Sequence, residues 1–161
     1  MIAEWLAALE ATALARGLRD SVWAYPLVNA GHVAGVAFLV GAIVPLDLRL
    51  LGLWQSVPIA SLWQVLTRTA AAGLVLAIGF GFLLFMSRAT EYAESQLFIS
   101  KMAVVAGATA NALILRLAVF DEGPQPGLAG GKLPPGVRLS GGISLIGWLT
   151  ALLLGRLIGY F

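Results

Sequence analysis

Apolar and polar positions first alternate at helical spacing and then separate into long charge-free runs. Over residues 1–20, Trp5, Leu6, Leu9 and Ala13 recur at helical intervals, while Glu4, Glu10, Arg16 and Arg19 interrupt them. This pattern predicts one amphipathic helix, too charged to cross a bilayer and suited to lie in its interface plane. From Ser21 to Leu46 there is no Asp, Glu, Lys or Arg, a run longer than the roughly 20 residues that a bilayer requires. A first span is expected near 23–44, with Asp20 or Ser21 as its cap and Pro26 in its first turn, where a missing N–H costs nothing. Trp23 and Tyr25 stand where an aromatic belt belongs. Pro45, Asp47, Arg49 and Gly52 mark the exit, and the apolar run 46–53 can carry the helix into the interface.

Three further spans follow, near 61–86, 97–120 and 139–160. The third has the shortest uncharged core, Met102 to Leu115, so Lys101 and Arg116 must either snorkel to water or be paired. The segment 121–137 holds Gly123-Pro124, Pro126-Gly127, Gly130-Gly131 and Pro134-Pro135 and is read as a non-helical connection, either a linker or a docking loop. The expected fold is all-α: one membrane domain over 1–161, a four-helix transmembrane bundle with an N-terminal interfacial amphipathic helix. Four spans put both termini on one side. Cations do not orient them, because Arg16, Arg19, Arg88, Lys101 and Arg156 on that side balance Arg49, Arg68, Arg116, Lys132 and Arg138 on the other.

Composition supports a membrane solvent: 60% of residues are hydrophobic and 11% charged, with a mean hydropathy of +0.92. A soluble surface usually needs about 25% charged residues. A net charge of +2 signals no nucleic-acid surface. With no Cys, thiolate catalysis and Cys-ligated metal or iron–sulfur centres are excluded. Glu4 and Glu10 and the lack of a cationic leader argue against a cleaved signal, so the first span is expected to serve as an uncleaved insertion signal. The setting expected is multi-pass in a bacterial inner membrane, in contact with lipid and with other membrane subunits or a second copy.

His32 is the single histidine and lies within the first span. An ionisable group at that depth is a functional candidate. Gly31 and Gly35 flank it, and such small residues admit either a partner helix or a flat macrocycle. Neutral imidazole is a common axial ligand of haem iron. As a second ligand, Met86, Met102 or Lys101 is available in sequence, as is His32 of another copy; five-coordinate iron needs none. Lys101, Ala108 and Asn111 share one helical face, which is expected to turn inward with Lys101 paired to Glu91, Glu94 or a ligand anion. Asp47 and Arg49 read as an interfacial structural pair.

His32 with Gly35, the run Leu46–Gly52, the stretch Ala89-Thr90-Glu91-Tyr92, and Phe98-x-x-Lys101-Met102 followed by Asn111-Ala112 resemble a family of small, uncharacterised bacterial four-helix membrane proteins. The likeness covers roughly residues 20–115. More distantly, the early His and the Phe-x-x-Lys third span are similar to membrane protoporphyrinogen oxidases of the HemJ type and to copper-resistance CopD domains. His32 and Lys101 are the positions that match ones implicated there. The resemblance implies haem or copper. Three functions remain open: a b-type haem-binding subunit in electron transfer or haem handling, a non-catalytic accessory subunit of a membrane complex, and copper or proton translocation.

Overall fold

Caps and prolines set where each helix starts and stops. The computed structural model describes residues 1–119 and 133–160, so most of the Gly/Pro-rich connection, including Lys132, lies outside the described residues. Those described form α1 (Ile2–Glu10), α2 (Ala13–Asp20), α3 (Ala24–Leu51), α4 (Ile59–Ser87), α5 (Ala89–Glu94), α6 (Gln96–Val119) and α7 (Pro135–Leu157). The fold is all-α, and α3, α4, α6 and α7 are long and apolar enough to cross a membrane.

Three boundaries differ from the sequence reading, and the end of the first span takes the longer of the two forms that the run 46–53 allows. The N-terminal segment is two short helices, broken at Thr12, whose hydroxyl accepts from the Ala15 N–H (3.2 Å) and donates to the Leu9 carbonyl (2.8 Å). One side chain thus ends α1 and caps α2. Helix α3 continues through Pro45 to Leu51. The bond lost at the proline is offset by burial of Leu46 and Leu50 against Ile59, Trp63 and Val137. The helix stops at Gly52 (φ 107°), where the Leu53 N–H reaches back to the Leu48 carbonyl at 3.0 Å. Between the second and third spans the short α5 replaces a plain loop. The segment read as non-helical to 137 turns helical at Pro135, which fills a first-turn position that needs no N–H.

Lipid is as apolar as the helices, so the bundle is joined by close packing and by interhelical hydrogen bonds rather than by exclusion of water. Helices α3 and α4 run antiparallel and meet through glycine. A Cβ added to Gly35 would lie 2.5 Å from the Ala77 nitrogen, and one on Gly73 would strike the Leu39 backbone. The α3–α7 seam closes at Gly141, where an added Cβ would come 2.9 Å from Leu50 Cβ. The α6–α7 seam closes at Gly147 against Ala108, and Asn111 and Ser140 bond reciprocally: Asn111 Nδ2 donates to the Ser140 carbonyl and Ser140 Oγ to Asn111 Oδ1, each at 3.0 Å. The order around the bundle is therefore α4–α3–α7–α6. Helices α4 and α6 make no comparable backbone approach. Leu66, Leu74 and Val105 fill toward the core there, and Phe85 stacks on Phe98 with ring centroids 5.5 Å apart.

Two expectations follow. Reporter fusions placed in 53–57 and in 121–131 should read the same side of the membrane, and opposite sides would overturn the four-span arrangement. Gly35→Val should lower the unfolding free energy in detergent by about 3 kcal/mol, the upper end of ordinary overpacking, and with it the thermal midpoint. Gly41→Ala and Gly79→Ala, where an added Cβ meets open space, should leave the midpoint unchanged or raise it.

Candidate functional site

The glycine contact between α3 and α4 fixes the surroundings of His32. The imidazole is half-buried and lies against α4, where a Cβ on Gly81 would sit 3.1 Å from His32 Cε1 and Nδ1. Nδ1 lies 2.8 Å from the Ala77 carbonyl oxygen. A carbonyl carries no proton, so Nδ1 is the donor. In the neutral ring Nε2 then keeps its lone pair. This is the orientation in which backbone carbonyls commonly hold metal-ligating histidines.

Lys101 approaches from α6, close enough for its charge to act on the His32 ring. Its Nζ lies over Gly155 of α7, 3.3 Å from where a Cβ would be. The expected partners do not reach it. Glu91 pairs instead with Arg88 (3.3 Å), and among the described residues no carboxylate lies within ion-pair distance of Lys101. The inward face of α6 is as expected, with Lys101, Ala108 and Asn111 all turned to α7.

Gly31 and Gly35, which flank His32, are taken up by α4. Gly31 is filled by the Phe80 ring, whose Cε2 and Cζ lie 2.7 Å from an added Cβ, and Gly35 by the α4 backbone. Both small residues are used by helix packing, so a macrocycle laid flat on them is incompatible with this α3–α4 contact. Met86 is buried at the end of α4, and Met102 is 42% exposed on α6. The donors at this place are therefore one imidazole and one cation that, among the described residues, has no carboxylate within ion-pair distance. Among the described residues no three His, Asp or Glu side chains group as metal ligands.

Two polar groupings escaped the sequence reading. Arg19 bridges the N-terminal helices to the end of α4, donating to the Ser87 carbonyl (2.9 Å) and to the Glu10 carbonyl (2.8 Å), while Glu10 Oε1 accepts from the Thr90 N–H (2.7 Å). Glu10, Arg19, Ser87, Arg88 and Glu94 line a polar cleft of about 500 Å³ there. Nearby, burial and then the adjacent Tyr25 push the Tyr92 phenol above its ordinary range. Asp47 and Arg49 are also buried, but not as a pair. Two residues apart on a helix, they point to different faces. Arg49 closes the α3–α4 loop, with Nε on the Val57 carbonyl (2.8 Å) and Nη2 toward the Gln55 carbonyl (3.4 Å). Asp47 turns to α7 and accepts from Ser144. The Leu-x-Leu spacing around both residues hides this, since it reads equally well as an interfacial stripe.

Compared with known protein families, with curated proteins and with solved structures, the chain shows no match.

Arg49 and Lys101 should respond differently to neutralisation. Lys101→Met should leave the thermal midpoint unchanged or higher, because no described carboxylate is orphaned. Arg49→Met should lower the unfolding free energy by about 1.5–3 kcal/mol, the range for hydrogen bonds made by a charged donor. Equal losses would mean that Lys101 holds a structural partner.

Proposed function

We propose that the chain is a small multi-pass subunit of a bacterial inner membrane that binds b-type haem through His32, in electron transfer or haem handling. One observation carries this reading: His32 Nδ1–H donates to the Ala77 carbonyl and leaves the Nε2 lone pair as a base, while Lys101, close enough for its charge to act on the ring, has no carboxylate within ion-pair distance among the described residues. When bound, haem supplies a one-electron redox centre. His32 Nε2 would hold the group, and the Ala77 carbonyl would keep the imidazole in its tautomer and orientation. Lys101 would pair with a propionate, which supplies the anion that Glu91 and Glu94 do not. With Gly31 and Gly35 occupied by α4, a ring has only the side of His32 away from those glycines. A second copy would contribute its own His32 to hold the same group.

The accessory-subunit reading draws on a different observation. Gly31 and Gly35 are both consumed by α4, and His32 makes a single interhelical hydrogen bond of a kind worth about 1–2 kcal/mol in membranes. Under that reading His32 is a packing residue. Absorbance separates the two. Protein expressed with ample haem should show a Soret band, His32→Ala should abolish it while the protein still inserts, and Lys101→Met should reduce haem content without loss of folded protein. A colourless, iron-free wild type that co-purifies with other subunits would overturn the haem reading.

A further inference from the structure

The α3–α7 seam holds a second polar site, independent of His32. Asp47 is 4% exposed and Trp148 is 4% exposed, deep enough that each polar atom needs a partner within the protein. One Asp47 oxygen accepts from Ser144. The other, Oδ2, has none, and neither does the indole Nε1–H of Trp148.

These two atoms belong to facing stripes. On α3, Ile43 and Asp47 are one turn apart; on α7, Ser144 and Trp148 are one turn apart. The helices run antiparallel, with Asp47 opposite Ser144 and Ile43 in the same core cluster as Trp148. Long side chains on a helix lean toward its N-terminus, over the turn before them. That lean would bring the Trp148 indole over Ser144 and so beside the Asp47 carboxyl.

The chemistry of the pair selects its ligand. An indole N–H disfavours a metal cation, and a carboxyl oxygen disfavours an anion. A neutral molecule that both donates and accepts satisfies both atoms. The seam also limits size, because an added Cβ on Gly141 would come 2.9 Å from Leu50 Cβ and 3.4 Å from the Asp47 carbonyl. The geometry points to a buried site for one water-sized neutral dipole, which accepts from Trp148 Nε1–H and donates to Asp47 Oδ2, with Ser144 holding the other carboxyl oxygen. Buried waters typically satisfy about three such groups and belong to the fold.

Water itself is the probe. In full-length protein carrying ¹⁵N-labelled tryptophan in detergent micelles, the Trp148 indole resonance is identified by its loss in Trp148→Phe. The expected result is a cross-peak from that N–H to long-lived water, together with a shift that moves in Asp47→Leu. Asp47→Asn keeps an acceptor and should preserve the cross-peak, and it serves where Asp47→Leu does not fold. A wild-type indole with no water cross-peak would overturn the site. So would a shift that responds to Asp47→Leu without any water signal, since that would indicate a direct Trp148–Asp47 bond.

Discussion

The approach of α3 and α4 at Gly35 and Gly73 is the constraint on which the rest of the bundle depends. In lipid, helices gain little from hiding apolar surface, and association rests on how many atoms come into contact. Without Cβ atoms at these two positions the backbones close on each other, and the neighbouring residues are set by that closure. The Ala77 carbonyl reaches His32 Nδ1, Phe80 covers Gly31, and Gly81 leaves room for the imidazole. The same glycines that suggest a macrocycle slot in the sequence are thus the reason His32 has a fixed tautomer.

Polar side chains inside the bundle lie in two separate layers. His32 and Lys101 lie toward the end where α3 and α6 begin, and Asp47 and Arg49 toward the end where α3 stops. Between them Leu39, Ala42, Ile43, Ala70, Ala108 and Trp148 pack as an apolar core. The inner stripe of α7 touches both layers, with Ser144 at Asp47 and Gly155 at Lys101. Charge in one layer is separated from charge in the other by hydrocarbon, so each can be altered without directly disturbing its counterpart.

Much of this fold was legible because a bilayer imposes a simple demand: about 20 residues without charge. The four spans and the inward face Lys101–Ala108–Asn111 came from that demand and from helical periodicity. The boundaries were less legible. Pro45 is a stop signal locally, yet burial of Leu46 and Leu50 carries the helix past it. Thr12 looks like any polar residue of an amphipathic helix until its hydroxyl is seen to serve two helices. At the candidate site, His32 and Lys101 were found by their charge within spans. Asp47 was misread because its partner, Ser144, lies about a hundred positions away and carries no charge to mark it. That none of the described carboxylates pairs with Lys101 could not be read either, since Glu91 is near in sequence but taken by Arg88.

The four seams of the ring are not equivalent. Three are drawn tight by small residues, and at the fourth α4 and α6 are held apart by leucine, valine and phenylalanine. Such side chains slide and change rotamer, whereas backbones locked at a glycine do not. The bundle is therefore mechanically a clasp: stiff through α4–α3–α7–α6 and compliant where its two ends meet. Lateral pressure in the membrane, or a lipid tail wedging between helices, would be taken up along that one side while the spine behind it keeps its shape.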